Sequence, residues 1–407
     1  MDKVVALTKR RGFIYPSSEI YGGLSGFYDY GPYGVALKRA IRDLWWRHVV
    51  ELRDDVVGLE STLIMPSEVW AASGHLTNFV DPLRQCTGRC KKRWRADTVK
   101  GDKCPECGSE VYLRPETAQG MFVDFKNVIN STRVRVPFGI AQQGRAFRNE
   151  ITPGNFVFRV REFELMELEY FVKPNEDDGW FDYWRKERMR WYTDVLGVNA
   201  SRLRQYDHPK ASLSHYSKQT TDIEYEFPFG WGELEGIADR TDFDLRVHQE
   251  ASKTDLTYLD PETNDRYLPW VIEPAVSVDR IFVTLLIDAY DEDVVNEESR
   301  VVLRLHPNVA PVQVAIVPLS KKEDLIKVAR DVRSSLQGEF RVEYDQTGGH
   351  IGRRYRRQDE IGTPFCITVD FETLNDRAVT IRKRDTTEQE RVAIAGLTER
   401  LTALVAG

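Results

Sequence analysis

Arginines and glutamates recur in two neighbouring segments of the chain, FRNE at 147–150 and FRVREFELMELE at 158–169. If the two segments pair as strands, Arg148 and Arg161 lie on neighbouring strands with glutamates close to both. Guanidinium groups bind phosphate oxygens through forked hydrogen bonds, and carboxylates bind amino groups, so this surface could hold a polyphosphate. An exposed ladder of Arg–Glu ion pairs, which is common on sheets, has the same pattern. The hairpin alone leaves both interpretations open.

Four of the five cysteines form two closely spaced pairs, C-x3-C and C-x2-C, at Cys86, Cys90, Cys104 and Cys107. In a chain without a secretory signal, two such pairs favour a metal site over disulfides, and four thiolates suit tetrahedral Zn²⁺. Two reduced hairpins without metal are the alternative. The fifth cysteine, Cys366, lies in the apolar run PFCITVDF, which predicts a buried position.

The overall charge argues against a protein that coats nucleic acid. The 407 residues carry a formal net charge of −7, so any nucleic-acid contact must come from local basic runs such as KKRWR at 91–95 and RRYRR at 353–357. A solvated charged face explains such runs equally well. The chain contains no apolar run of about 18 residues, so no membrane span is predicted. Residues 1–13 lack the apolar segment of a secretory signal. We therefore expect a cytoplasmic protein with no membrane partner.

Several elements must position these groups. Apolar residues recur at helical spacing from Tyr33 to Leu52, and an extended run at 56–65 ends at Pro66. The pattern over 111–172 is typical of strands, with TPGN at 152–155 as the turn of a hairpin. The sequence then predicts a helical insertion over 176–197, strands at TTDIEYEF and GELEGIA, and a helix that begins near Val278.

The pattern changes around 291–311, where an acidic stretch leads into RLHPNVAP. Beyond it, segments with strand and helix periods alternate, which indicates a small α/β domain. Its predicted strands are VQVAIVPL, RVEYD, FCITVDF and AVTIRKR, and a closing helix is predicted over 387–405.

Three segments, in this order, resemble the signature motifs of class II aminoacyl-tRNA synthetases. They are the helix, strand and proline of 33–66, FRNE with its hairpin, and IEPAVSVDR at 272–280. Longer segments resemble the homodimeric glycyl-tRNA synthetases, and the likeness covers nearly the whole chain. These segments are GFIYPSSEIYGGLSGFYDYGPYG at 12–34, ASGH at 72–75, LRPETAQG at 113–120, FPFGWGELEGIADRTDFDL at 227–245 and, in the anticodon-binding domain, GRRYRRQDEIGTPFCITVDF at 352–371.

The resemblance implies an α+β fold with two domains. A class II catalytic domain over 1–300 would be built on an antiparallel β-sheet flanked by helices, with a zinc-knuckle-like insertion at 86–107 and a helical insertion at 174–216. An α/β anticodon-binding domain with a mixed sheet would occupy 309–407. The implied activity is the activation of glycine with ATP and its transfer to the 3′ end of tRNA(Gly), by a cytoplasmic homodimer.

The resemblance also implies a set of ATP-binding residues. Arg148 would contact the α-phosphate and Arg280 the far end of ATP as the catalytic pair, while Phe163 stacks on adenine beside Glu150. Mg²⁺ would bridge phosphate oxygens, assisted by Glu233. The full implied set is Arg148, Asn149, Glu150, Phe158, Arg159, Val160, Arg161, Glu162, Phe163, Glu233, Leu234, Ser277, Val278, Asp279 and Arg280.

Glycine offers no side chain to hold, so its pocket must bind the ammonium and exclude anything larger. By resemblance, Glu116 and Glu167 bind the ammonium, and Arg93 closes the pocket with the EPAVS backbone. A simple salt bridge between Glu116 and Arg114 is the alternative. The implied glycine-binding set is Arg93, Glu116, Phe163, Glu164, Leu165, Met166, Glu167, Glu273, Pro274, Ala275, Val276 and Ser277.

The basic run of the second domain supplies the candidates for reading the anticodon: Arg353, Arg354, Arg356 and Arg357. Unpaired bases stack on guanidinium planes and present their edges for hydrogen bonding. Pairing along the helix, Arg356 with Asp359 or Arg357 with Glu360, is the alternative.

The chain departs from the family pattern in two places. CPECGSEVYLRPE joins the second cysteine pair almost directly to LRPETAQG, where the family usually has an extra segment. Ala275 stands where a small hydroxyl residue is expected, and Ser277 stands where glycine is usual. A non-catalytic descendant of the fold would have lost Arg148 and Arg280, which are present. Relatives specific for threonine, proline or histidine lack the combination of RPETAQ and GWGELEGIA.

Overall fold

The computed structural model describes residues 1–78, 83–85, 93–95, 112–148, 150, 153–295, 297–347 and 349–406. Its strands are β1 Ile14–Pro16, β2 Tyr28–Tyr30, β3 Val56–Gly58, β4 Ile64–Met65, β5 Leu83–Gln85, β6 Arg93–Arg95, β7 Tyr112–Leu113, β8 Phe138–Phe147, β9 Glu162–Val172, β10 Leu203–Asp207, β11 Gln219–Phe227, β12 Gly230–Thr241, β13 Tyr258–Leu259, β14 Arg266–Tyr267, β15 Trp270–Ser277, β16 Tyr290–Val295, β17 Glu298–Leu303, β18 Val314–Pro318, β19 Val342–Tyr344, β20 Phe365–Val369, β21 Ala378–Lys383 and β22 Gln389–Ala393. Its helices are α1 Asp2–Arg10, α2 Pro32–Trp46, α3 Ser67–Ala72, α4 His75–Asn78, α5 Ala118–Val123, α6 Phe125–Thr132, α7 Asp177–Arg190, α8 Phe243–Ser252, α9 Val278–Ala289, α10 Glu323–Leu336, α11 Ile351–Ile361, α12 Thr373–Asp376 and α13 Leu397–Ala406.

Within the described ranges, seven strands form the main sheet in the order β10-β11-β12-β15-β9-β8-β3. Every neighbouring pair is antiparallel except β3 with β8. The predicted hairpin is confirmed as β8 and β9, which pair from Phe138 opposite Phe171 to Phe147 opposite Glu162. The connection is longer than the predicted four-residue turn, since it takes in all residues from 148 to 161. The α+β class predicted from the sequence is therefore confirmed.

Two faces of β9 serve different purposes because side chains alternate along a strand. Met166, Leu168 and Tyr170 point into the largest hydrophobic core, which α2, α7 and α9 help to fill. On the opposite face, Phe171 belongs to a second core formed with α5, α6 and α8. These three helices cover only the part of this face around Phe171. The part that carries Phe163, Leu165 and Glu167 stays open.

Two predictions about the first half of the chain are wrong. The strand-like pattern over 111–172 hides helices α5 and α6, in which Ala118, Met121, Phe122, Phe125 and Val128 are buried at helical spacing. Both helices are short, α5 with six residues and α6 with eight, and periodicity alone does not separate such short apolar segments from strands. The extended run at 56–65 forms two short strands, β3 and β4, in different sheets.

The predicted α/β unit at the carboxyl end has its own sheet and core. In the described residues its order is β19-β18-β20-β21-β22, with β18 parallel to β19 and β20, and antiparallel pairing beyond. The mixed sheet is confirmed, but the first part of the predicted closing helix is wrong. Residues 389–393 form the edge strand β22, because QERVA alternates between exposed and half-buried positions, and the helix begins only at Leu397.

Ion pairs hold the two units together. Glu360 on α11 accepts hydrogen bonds from Arg10 and Arg11, while Asp359 binds Arg300 at 3.2 Å. Asp359 and the guanidinium of Arg300 are buried, so these contacts fix the carboxyl-terminal unit against β17. Among the described helices, the structure contains none that is both long and apolar enough to cross a membrane.

Candidate functional site

The open part of the β9 face forms a cavity of about 360 Å³. Strands β9, β12 and β15 build its floor, and its sides are closed by the segment between β7 and α5, by the connection after β8 and by the segment that leads into β11. Residues from both predicted substrate sets line it together, so the two sets form one site. Those lining the cavity are Glu116, Arg148, Glu150, Phe158, Arg159, Val160, Phe163, Leu165, Glu167, Glu233, Glu273, Ala275, Ser277 and Arg280.

The other described members of those sets do not line the cavity, because consecutive strand residues face opposite sides. Met166, Leu234, Val276 and Val278 point into the core, and Pro274 is buried between lining neighbours. Glu162, Glu164 and Asp279 lie on the α2 side of the sheet, in a separate groove. Arg161 donates to the carbonyls of Glu150 and Ser25.

Six predicted ligands cannot be placed in this way. Asn149 and the four cysteines proposed for zinc, Cys86, Cys90, Cys104 and Cys107, lie outside the described residues. The backbone of Arg93 lies on β6, which pairs with β5, and its side chain is outside the described part.

A β-bulge in β12 sets which residues of this strand face the cavity. Glu233 lies opposite Glu224, and Glu235 lies opposite Ile223, so Leu234 is an extra residue without a partner on β11. Because of this extra residue, Glu233 lines the cavity while Glu235 turns to the other side of the sheet, where it is fully buried. A regular strand would place both glutamates on one face.

Two arginines lie in the part of the cavity formed by the predicted ATP-binding set. Arg148 donates from Nε to the carbonyl of Pro115 at 3.0 Å, and its guanidinium lies 5.4 Å from the ring centre of Phe163. Arg280 forms an ion pair with Glu233 at 2.8 Å and lies 4.9 Å from the ring centre of Phe158. Arg280 lowers the pKa of Glu233, against the opposing effect of burial. The cavity thus carries two guanidinium groups, which are suited to binding phosphate oxygens.

The opposite part of the cavity is acidic. Glu116 is buried and lies 3.0 Å from Nε2 of His75, and it also accepts a hydrogen bond from Gln119 at 2.9 Å. Burial opposes the ionisation of Glu116, but His75 and Arg240 outweigh burial and hold the pKa of its carboxyl well below the ordinary value. The alternative pairing of Glu116 with Arg114 is absent among the described contacts.

Glu167 and Glu273 complete this acidic part. Glu167 accepts hydrogen bonds from the hydroxyl and the backbone N–H of Thr117, the latter at 2.7 Å. Burial, together with the charge of Glu116, raises the pKa of Glu167. Burial raises the pKa of Glu273 to about 8, although Arg240 lies only 2.6 Å away. Three carboxyl groups around one end of a cavity create a site for a small ammonium group.

Sequence reasoning missed the residues that support these carboxyl groups. Arg240 binds Asp244 through two hydrogen bonds of 2.7 and 2.9 Å and lies 3.9 Å from the ring centre of Tyr216. His75 belongs to the ASGH segment, which was noted only as a family likeness. Arg240 and Asp244 likewise belong to the segment 227–245, and their separation of four residues is too common to identify a site.

A second missed pair lies beside Glu233. His208 and Asp222 line the cavity, and Nε2 of His208 lies 2.8 Å from the carboxylate of Asp222. Burial and the charge of Glu233 raise the pKa of Asp222 to about 6, against the effect of His208. Strand β11 supplies Asp222, so this carboxyl group reaches the cavity only because β11 and β12 are neighbours.

The raised pKa of Glu273 predicts a pH-dependent loss of stability. The folded protein retains this proton up to about pH 8, whereas the unfolded chain releases it near pH 4.5. Glu273 therefore makes the free energy of unfolding fall as the pH rises through this window. We expect the melting temperature to fall more steeply from pH 6 to pH 9 in the wild type than in Glu273→Gln, measured by calorimetry without substrates. Parallel curves would contradict the assignment.

The four arginines proposed for the anticodon differ in their surroundings. Arg354 is buried and donates to the carboxylate of Asp345 at 3.0 Å, and Arg357 contacts the same carboxylate at 2.6 Å. Arg356 lies 3.5 Å from Glu298. The helix pairings considered as an alternative are therefore replaced by other ion pairs. Arg353 is exposed, and Arg354 forms part of the wall of a crevice of about 320 Å³ at the ends of β18 and β19.

Comparisons with known proteins identify relatives of the whole chain. Residues 313–404 match the model of the anticodon binding domain family. The whole chain is 51% identical to the glycine–tRNA ligase of Thermobifida fusca and covers 98% of that protein. Over 97% of its length it is 51% identical to the glycine–tRNA ligase of Caldanaerobacter subterraneus subsp. tengcongensis, and 50% identical to that of Streptomyces coelicolor; it covers 96% of each.

The alignment with the Thermobifida fusca protein spans 457 positions for the 407 residues of this chain, so at least 50 of its positions have no residue here. This agrees with the expectation that relatives carry an additional segment.

Proposed function

The chain belongs to the glycine–tRNA ligase family, and from this membership we propose which of its residues carry each step. It activates glycine with ATP and transfers the glycyl group to tRNA. One observation supports the assignment of roles more than any other. A single cavity joins Arg148 and Arg280 to the buried carboxyl groups of Glu116, Glu167 and Glu273.

In the activation step, a carboxylate oxygen of glycine attacks the α-phosphorus of ATP, and the bond from that phosphorus to the bridging oxygen breaks as pyrophosphate leaves. The carboxylate is already the nucleophile, so no general base is needed. Arg148 neutralises charge on the α-phosphate, and Arg280 binds the far end of the triphosphate. Phe163 stacks on adenine, with Glu150 near its amino group. Catalysis consists of alignment and charge compensation.

Glycine selection uses the acidic part of the cavity. Glu116 and Glu167 bind the ammonium, and Ala275 and Ser277 on β15 approach it from the neighbouring strand. A site that fills when glycine is bound rejects alanine by steric overlap, which discriminates better than the absence of a contact. The contact of Glu116 with His75 and the hydrogen bond that Glu116 accepts from Gln119 keep the pocket from widening.

Mg²⁺ fits the carboxylate oxygens at the ATP end of the cavity. Oxygen ligands suit this hard cation, and Glu233 and Asp222 both present carboxyl groups there. When bound, Mg²⁺ would neutralise charge on the phosphate oxygens. Glu233 would then have to exchange its ion pair with Arg280 for a contact with the metal.

The zinc proposal rests on the donor set Cys86, Cys90, Cys104 and Cys107, since four thiolates in two close pairs suit a structural Zn²⁺ site. We expect about one zinc ion per chain by elemental analysis after dialysis. Replacement of Cys104 and Cys107 by serine should remove the zinc, while the single change Cys366→Ser should keep it. Retention of zinc by the double variant would contradict the proposed ligands.

We also propose that two copies of the chain associate through the face of α2. Val35, Arg39 and Asp43 are exposed there, beside a groove of about 730 Å³ between α2 and β9. The class II resemblance places this helix at the interface between subunits. Light scattering at micromolar concentration should give twice the mass of one chain.

Arg353 is the best candidate for contact with the anticodon, because it is exposed on α11 near the crevice at β18 and β19. We expect Arg353→Ala to lower kcat/KM for tRNA charging by about 5- to 30-fold, roughly 1–2 kcal/mol, a typical contribution of stacking on a base. ATP–pyrophosphate exchange should not change, since it needs no tRNA. Lys327→Ala serves as a control for loss of positive charge, because Lys327 is exposed on α10 and does not line the crevice. Equal losses in both variants would indicate a general charge effect.

The assay that tests the function as a whole is ATP–pyrophosphate exchange with each of the twenty amino acids. Glycine should stimulate exchange, while alanine and serine should stimulate it weakly. Equal stimulation by another amino acid would contradict the proposal that the pocket is specific for glycine.

A further inference from the structure

Asp279 connects the first turn of α9 to three other elements. Its buried carboxylate, only 3% exposed, accepts hydrogen bonds from the hydroxyl of Tyr30, from the ammonium of Lys38 at 3.1 Å and from the backbone N–H of Glu164 at 2.8 Å. These donors lie on β2, α2 and β9. The next residue, Arg280, lines the ATP cavity, whereas Asp279 does not.

A second set of contacts fixes these donors. Nζ of Lys38 also lies 3.2 Å from the carboxylate of Glu164 and 4.2 Å from the ring centre of Tyr30. Arg42 binds Glu164 at 2.8 Å, and its Nε donates to Gln143 on β8 at 3.1 Å. The cluster therefore ties α2 and the first turn of α9 to β8, which ends directly before Arg148, and to β9, which carries Phe163.

We propose that Asp279 is a positioning residue for Arg280. Consecutive residues of a helix point about 100° apart, so a carboxylate held against α2 turns the next side chain toward the cavity. Arg280 reaches Glu233 there at 2.8 Å. Ser277 caps the same turn by accepting the N–H of Asp279 at 3.2 Å, which adds a second restraint. The inference rests on the proposed role of Arg280 in binding ATP.

The consequence for the reaction is confined to one substrate. If the first turn of α9 shifts, Arg280 moves relative to the triphosphate, and a misplacement of about 1 Å can cost roughly 100-fold in rate. The glycine end of the cavity depends on Glu116 and Glu167, which are held by contacts with His75, Gln119 and Thr117. A loss of positioning should therefore affect ATP and leave glycine binding nearly unchanged.

The test uses Tyr30→Phe and Asp279→Asn. Each change is nearly isosteric, and the first removes only one hydrogen bond. We expect kcat/KM for ATP in pyrophosphate exchange to fall about 10-fold in Tyr30→Phe and about 100-fold in Asp279→Asn. KM for glycine should stay within about twofold of the wild type. Tyr33→Phe is the matched control, because it removes a hydrogen bond from another tyrosine of the same region to a carboxylate, Glu343, away from the cavity.

A double-variant cycle separates positioning from general destabilisation. If Asp279 acts through Arg280, Asp279→Asn should add almost nothing to the loss already caused by Arg280→Ala. The proposal would be overturned if the losses caused by the two single changes multiply in the double variant. It would also be overturned if KM for glycine rises together with KM for ATP. Unchanged kinetics of Tyr30→Phe and Asp279→Asn would overturn it as well. If Arg280→Ala itself leaves KM for ATP unchanged, the proposed role of Arg280 fails instead, so the two failures are distinguishable.

Discussion

Replacement of Arg148 by alanine should reduce glycine-dependent ATP–pyrophosphate exchange by roughly 100- to 1,000-fold in kcat, equivalent to about 3–4 kcal/mol of transition-state stabilisation. The reason is that charge develops on the α-phosphate and its leaving group in the transition state. The hydrogen bond from Nε to the carbonyl of Pro115 fixes this guanidinium in advance. The loss should be larger in kcat than in KM for ATP, as measured by initial rates over a range of ATP concentrations.

The matched control is Arg135→Ala. Arg135 is exposed and forms an ion pair at 3.3 Å with the exposed Glu262, so its loss removes the same charge from a place remote from the cavity. Exchange should be normal in this variant, and light scattering should give the same mass for both variants and the wild type. Normal exchange in Arg148→Ala would contradict the proposal that Arg148, in the FRNE segment, contacts the α-phosphate of ATP.

Replacement of Glu116 by glutamine should raise KM for glycine by about 30- to 150-fold, or roughly 2–3 kcal/mol, the usual cost of losing one charged partner in a buried pair. Burial opposes the ionisation of this carboxyl, but His75 and Arg240 outweigh burial and lower its pKa, which favours the charged form. The ammonium of glycine loses a negative partner, while the ATP end is untouched. Glycine titration at saturating ATP measures the effect.

Glu262→Gln serves as the control, since it removes one exposed carboxylate of the same domain. KM for ATP should stay near its wild-type value in both variants. A similar KM for glycine in Glu116→Gln and the wild type would exclude the ammonium contact. If KM for ATP and KM for glycine rose together, the change would have disturbed the cavity as a whole.

The paired strands β8 and β9 and the order of the motifs along the chain were predictable from local patterns. Alternating residues over 138–147 and 162–172 are typical of paired strands, and β8 and β9 pair as expected. The helix after Ser277 also begins where its spacing predicts. Such features depend on neighbours along the chain, which one sequence contains in full.

The composition of the cavity was predictable only in part. Contiguous runs such as 162–167 were assigned to substrates, although a strand can present only every second side chain to one face. Phe163, Leu165 and Glu167 therefore line the cavity, while Met166 fills the core.

The supporting groups were not predictable, because their partners are distant in sequence. His75 reaches Glu116 across 41 residues, and Arg240 reaches Glu273 across 33. Neither contact has a local signature, since each depends on how α4, β12 and β15 come together. The helices α5 and α6 were missed for another reason: they span only six and eight residues, and periodicity alone does not separate such short apolar segments from strands.

Leu234 has no partner on β11, so the ATP end of the cavity should tolerate substitution of this residue but not its deletion. Substitution of Leu234 by another apolar residue keeps the extra position and so keeps Glu233 beside Arg280. Loss of that single codon would restore strict two-residue periodicity across β12. Glu233 and the residues from Gly236 onward would then fall out of phase, and one side of the strand would carry the wrong side chains. This strand should therefore accept substitutions during evolution far more readily than insertions or deletions.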